Sequence, residues 1–156
     1  MIEITKADEP HIPELGNLWM EFMLYSQSID EIYAPADDSI PLFIKDYLRP
    51  AMEAENSLVL VALDGGRAVG YSYSLIKEPS DLNTRDKWGC IHDMFVTSEY
   101  RNRGIGKQLY SEILRWFHSN GISRVELEVI TQNIPAVSFW EKHGFIDQSR
   151  NLYRNI

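Results

Sequence analysis

A chain of 156 residues with 44% hydrophobic and 24% charged positions has the size and balance of a single globular domain, residues 1–156, whose core needs no staple. Its formal net charge of −8 argues against nucleic acid as a partner and favours encounter with a cationic molecule, unless the acidity serves only solubility. The lone Cys90 excludes an intrachain disulfide and a cysteine-rich zinc site. With neither a secretory leader nor an apolar run near the ~18 residues of a membrane span, a reduced, cytoplasmic setting and no membrane partner are expected.

The first strand is expected over Ile2–Lys6, where side chains alternate. A helical pattern follows from Ala7–Pro10 to about Tyr25, with Leu15, Leu18, Trp19, Phe22 and Met23 on one stripe. Ser26–Pro41 mixes acids, serines and prolines and reads as a loop. Pro41–Ala54 reads as a second helix with Leu42, Phe43, Tyr47 and Leu48 facing inward. Ser57–Leu63 and Arg67–Lys77 form a hairpin around Asp64-Gly65-Gly66, and a polar loop, Glu78–Lys87, leads to a strand over Trp88–Val96. A helix is expected from about Gly104 to His118, because Ile105, Leu109, Ile113 and Phe117 recur every four residues and Asn120-Gly121 ends the pattern. A strand over Ile122–Ile130, a short helix over about Pro135–His143 and one or two closing strands in Phe145–Ile156 complete the chain. The order β-α-α-β-β-β-α-β-α-β predicts an α/β protein with a mixed sheet flanked by helices.

The chemistry concentrates where the strand of Trp88–Val96 runs into the helix that Gly104 and Gly106 open. Glycines there allow unusual backbone angles, and the first amides of a helix have no internal acceptors and suit a phosphate. Arg101, Arg103 and Lys107 add positive charge. A Walker-type phosphate loop is excluded because Gln108 follows Gly106-Lys107. A dinucleotide fingerprint lacks its third small residue, since Leu109 stands there, although Glu126 lies near the ribose-binding spacing. A plain glycine-softened turn with solvated basic residues is the alternative for this loop taken alone.

Two motifs together carry a resemblance. Arg101-x-x-Gly104-x-Gly106 resembles the pyrophosphate loop of the GNAT superfamily of N-acetyltransferases, and Asn133-x-x-Ala136-x-x-Phe139-Trp140-Glu141-Lys142-x-Gly144-Phe145 is similar to its second motif. The resemblance covers about Ile91–Phe145 and implies the GNAT-like acyl-CoA N-acyltransferase fold, with acetyl-CoA as cosubstrate and no metal. It implies that Met94, Phe95 and Val96 pair with the pantetheine arm and that Arg101, Asn102, Arg103, Gly104, Ile105, Gly106 and Lys107 hold the pyrophosphate. Asn133 and Trp140 would line the cofactor. Asn133 also reads as a turn former before Pro135, and Trp140 as a core aromatic beside Phe139.

The implied activity is transfer of an acetyl group to a primary amine of a small molecule or protein, by direct attack in a ternary complex. Its alternative is a non-catalytic acyl-CoA-binding regulatory or interaction module. Trp140 occupies the position where many relatives carry a tyrosine acid, and an indole N–H cannot replace it, which leaves Tyr153 or water as candidates. His92 is a candidate base and Asp93 a candidate to order water or hold a cation, although both also read as ordinary polar strand residues. Strand alternation would point the two to opposite faces. The amide near Phe95 is the candidate oxyanion donor. Cys90 reads as a small buried residue, and His11, His118 and His143 show no metal spacing. Asp30, Glu31, Asp37 and Asp38 are expected to attract an amine-bearing acceptor, or else to be solvated loop charge. Exposed edges or the final strands would let such a sheet pair into a homodimer.

Overall fold

A computed structural model describes all residues, 1–156. Its elements in chain order are β1 (Ile2–Lys6), α1 (Ile12–Ile29), α2 (Ser39–Phe43), α3 (Arg49–Glu53), β2 (Ser57–Asp64), β3 (Arg67–Lys77), β4 (Trp88–Val96), α4 (Ile105–Ser119), β5 (Val125–Leu127) and α5 (Ile134–Lys142). A π-helical turn, Ile44–Leu48, joins α2 to α3, so the expected second helix is one path of three pieces. No helix is long and apolar enough to cross a membrane.

The five strands lie in the order β1-β2-β3-β4-β5. The first three pairings are antiparallel, and β4 pairs with β5 in parallel after the α4 crossover. The β2–β3 turn closes on Gly65 and Gly66, whose φ values of 57° and 89° suit the two-residue hairpin loop. Both faces of the sheet are covered, so β2 reads as an unbroken apolar run: Val59 and Val61 face α1, while Leu60 and Ala62 face α4. On the α1 side Leu15, Leu18, Phe43 and Leu48 pack over Tyr71 and Phe95. On the other side Ile105, Leu109, Ile113 and Phe117 cover Val69 and Ile91. Gly89 lets the Phe117 ring lie on β4, since a Cβ there would sit 2.5 Å from the ring.

Several expectations need correction. Helix α1 runs to Ile29, beyond the expected end near Tyr25, because the Ser26 hydroxyl donates to the Phe22 carbonyl (2.9 Å) and so breaks nothing. Leu42 and Tyr47 are exposed and Phe43 and Leu48 buried: neighbours about 100° apart on α2 cannot both face inward, and the π-turn brings Leu48 in place of Tyr47 to the core. The strand expected over Ile122–Ile130 shortens to Val125–Leu127, the only stretch with a neighbour on β4. The closing strands over Phe145–Ile156 are absent: Phe145 packs into the core, whereas Ile146, Leu152, Tyr153 and Ile156 are exposed on a stretch that has no ladder partner.

Candidate active site

β4 carries the first half of the site because its two edges differ. Toward β3 it is paired from Trp88 opposite Lys77 to Val96 opposite Gly70, with a single interruption. Toward β5 it pairs only at Gly89, Cys90 and Ile91. Beyond Ile91 that edge has no strand neighbour, so Met94, Phe95 and Val96 border an open slot.

A bulge interrupts β4 at the mouth of the slot. Tyr73 pairs with Asp93 and Ser74 with Ile91, which leaves His92 as the extra residue. The bulge cancels the alternation that would send His92 and Asp93 to opposite faces: His92 Nδ1 and Asp93 Oδ1 are 3.1 Å apart. His92 is 52% and Asp93 11% exposed in their side chains. The other Asp93 oxygen accepts from the buried Tyr71 hydroxyl at 3.0 Å. The hydrogen bond to Asp93 raises the His92 pKa above its ordinary value, against the opposing effect of burial. Cys90, expected to be buried, is only half-buried, and that burial raises its thiol pKa and keeps it protonated.

The strand-to-helix junction forms the second half. After a 3-10 turn over Ser98–Tyr100 the chain takes positive φ at Asn102 (61°) and Gly104 (79°) before α4 begins. Arg101 N–H and Gln108 N–H donate to Ser98 and Gly104 carbonyls, but no backbone acceptor takes the amides of Asn102, Arg103, Gly104, Ile105, Gly106 or Lys107. These six consecutive donors run into the N-terminus of α4, its positive end, an arrangement that fits a diphosphate. Arg103, Gly104 and Lys107 are exposed there, whereas the Ile105 side chain is buried beneath.

Arg101 turns inward. Its Nε donates to the Val96 carbonyl at 2.9 Å, and its guanidinium lies 4.3 Å from the Tyr25 ring centre and 5.2 Å from that of Phe95. The junction is tied to the scaffold at two further points. Thr97 Oγ1 donates to Glu21 on α1 (2.6 Å), and the Tyr100 hydroxyl donates to Asp64 at the hairpin (2.9 Å).

Across the slot, Asn133 caps α5, accepting from Ala136 N–H at 3.4 Å, so its turn-forming role is realised. The same oxygen accepts from the Tyr25 hydroxyl at 3.2 Å. Tyr25 therefore joins α1 to the far wall of the slot. Trp140 is 8% exposed and packs edge-on against Tyr110, Phe139 and Phe145, with ring centres 4.9–5.7 Å apart. Tyr153 is 88% exposed in the terminal stretch, and the structure does not bring it to the other candidates. The expected acids split: Asp30 accepts from Ile32 N–H (3.1 Å) to start a turn, while Glu31, Asp37 and Asp38 are exposed. Tyr71, Tyr25, Glu21 and Tyr100 escaped the sequence reading because their partners lie far away in the chain and no local pattern marks them.

The sequence matches the Acetyltransferase (GNAT) family over residues 14–145. An uncharacterized N-acetyltransferase of Archaeoglobus fulgidus is 27% identical over 139 residues, 89% of either chain. Among the curated relatives the match spans from 24% to 89% of the relative's own length. Among solved structures, a mutant of the BH1408 protein from Bacillus halodurans superposes with a TM-score of 0.87 at 21% identity, covering 99% of each chain. AAC(6')-Iy in complex with a bisubstrate analogue, CoA-S-monomethyl-acetylneamine, superposes with a TM-score of 0.74 at 16% identity, over 100% of this chain and 98% of that one. At these identities both show a shared fold.

Proposed function

The chain belongs to the acetyltransferase (GNAT) family, and from that premise we propose that it moves an acetyl group from acetyl-CoA to a primary amine of a small molecule or protein, by direct attack within a ternary complex. The observation that carries this reading is the run of six unpartnered amides, Asn102–Lys107, at one end of the slot that opens beside Met94–Val96. Acetyl-CoA, when bound, supplies the acetyl group as a thioester.

The residues divide the work as follows. The six amides, with Arg103 and Lys107, hold the diphosphate. Arg101 shapes the turn through Val96, Tyr25 and Phe95 and so contributes indirectly. The open edge of β4 over Met94–Val96 offers its backbone groups to the pantetheine arm, and Asn133 borders the arm from the facing wall. The Phe95 N–H is assigned as donor to the acetyl carbonyl oxygen. His92 Nε2 takes a proton from the acceptor's ammonium, which frees the lone pair that forms the new C–N bond as the thioester C–S bond breaks and its electron pair leaves on sulfur, and Asp93 holds the ring. Trp140 packs the wall. With Tyr153 exposed, no side-chain acid is assigned to the leaving sulfur, whose ordinary pKa of about 8.5 makes assistance the least demanding step at neutral pH.

The acceptor is placed on the α1 face of the sheet, where His92 is accessible, and the exposed Glu31, Asp37 and Asp38 favour a cationic one. A homodimer is supported by the open β5 edge and the exposed Leu152, Tyr153 and Ile156. The lone cysteine agrees with a reduced, cytoplasmic setting. The buried Trp140 and exposed Tyr153 favour one second reading, an acyl-CoA-binding module without turnover. Release of free thiol from acetyl-CoA across a panel of amines, beside calorimetry with CoA, separates the two. Amine-dependent release is expected; tight CoA binding with no release for any amine would establish the module, and no binding would refute both.

A further inference from the structure

We propose that Tyr71 and Asp93 are positioning residues that lock His92 in one tautomer, with Nδ1 protonated toward Asp93 and Nε2 left as the nitrogen that accepts a proton. Its functional meaning rests on the reading of His92 as the base; its geometry does not.

Tyr71 lies in β3, 1% exposed, in the core between sheet and α1. Burial, with the negative charge of Asp93 beside it, raises its pKa well above the ordinary phenol value, so its hydroxyl stays protonated. An ionised carboxylate only accepts, so Tyr71 donates to Asp93 Oδ2 at 3.0 Å. That leaves Oδ1 facing His92 Nδ1 at 3.1 Å. Each carboxylate oxygen thus has one partner. Turning the carboxylate away from His92 would break a hydrogen bond made by a buried hydroxyl, which is costly to leave unmade.

A neutral imidazole carries one donor and one acceptor nitrogen, and the one facing a carboxylate must be the donor. The bulge supplies the remaining constraint, because it sets His92 and Asp93 side by side. The His92 ring also rests against Tyr73, with ring centres 5.1 Å apart. The charged groups that act on His92 are Asp93, Lys77 of β3 and Glu128 beyond β5. Lys77 and Glu128 pull its pKa in opposite directions, and Asp93 alone is within hydrogen-bonding distance. Asp93 therefore decides the tautomer, and Tyr71 decides where Asp93 points.

Nitrogen-15 NMR of the histidines in the full-length protein, without ligand, tests this. The chain has four histidines, and the signal lost in His92→Gln assigns the one that matters. Above its titration midpoint, wild-type His92 is expected in the Nδ1–H form; the Nε2–H form or an even mixture would overturn the proposal. Tyr71→Phe keeps the ring and removes the donor. It is expected to mix the tautomers, because a carboxylate without its second partner is free to turn from Nδ1. A tautomer that remains single would overturn the role of Tyr71. Should Tyr71→Phe not fold, Asp93→Asn takes its place: loss of the tautomer preference supports the proposal and its retention overturns it. Turnover is read separately, so a fully active His92→Gln would refute His92 as the base without touching the NMR result.

Discussion

His92 shows how a single backbone irregularity converts two ordinary strand residues into a coupled pair. An imidazole must be neutral to take a proton, and Asp93 holds the His92 pKa above its ordinary value. The rate should therefore rise with pH through an inflection above the usual ~6.5 of imidazole. His92→Gln should remove that limb and lower kcat by about 10²–10⁴-fold, the range for losing a general base. A pH profile of kcat/KM for both proteins checks it, and an unaltered inflection in the variant would assign the titration elsewhere. The residue types at His92 and Asp93 were legible as candidates, but their joint orientation was not. Alternation is a rule for regular strands, and nothing in His92-Asp93 itself says that β3 skips a residue opposite.

At the scale of elements, the junction of β4 and α4 was legible nearly in full, because its glycines are demanded by the backbone. Gly104 stands at φ 79°, where a β-branched side chain is strained, by about 1–3 kcal/mol. Gly104→Val should distort the row of free amides and weaken CoA binding by about tenfold or more, the fold-change that corresponds to ~1.4 kcal/mol. Calorimetry reads the effect directly, and an unchanged Kd would remove the loop from the binding site. Gly89 is demanded by packing instead. A methyl there meets the Phe117 ring, so Gly89→Ala should cost about 1–3 kcal/mol in chemical denaturation. An equally stable variant would mean that α4 can shift on the sheet. Sequence pattern located the helix carrying Phe117 but could not show that its ring lies on Gly89. The shortened β5 was illegible for a related reason. Ile122–Ile130 alternates, yet a strand also needs a neighbour, and β4 offers one only as far as Ile91.

For the molecule as a whole, the order of strands and helices was readable through α5, since hairpin, crossover and caps are written locally. The terminal stretch was not. Leu152, Tyr153 and Ile156 have strand-like character, but their side chains meet nothing in a single copy. If they meet a second copy along the open β5 edge, sedimentation should find a dimer, and deleting residues 149–156 should yield a monomer. A monomeric full-length chain would dismiss that pairing. Contacts that bind the halves together, such as Tyr25 with Asn133, join residues too far apart in sequence for any local signal.

The tethers on the turn between β4 and α4 carry one last implication. Thr97 is held by Glu21, Tyr100 by Asp64, and Arg101 by Val96, Tyr25 and Phe95, so the turn is anchored on α1, the β2–β3 hairpin and β4 at once. A receptor already rigid before its guest arrives surrenders little disorder on capture. Adenosine diphosphate, which has no acyl arm, should by this logic retain measurable affinity and compete with the whole cosubstrate.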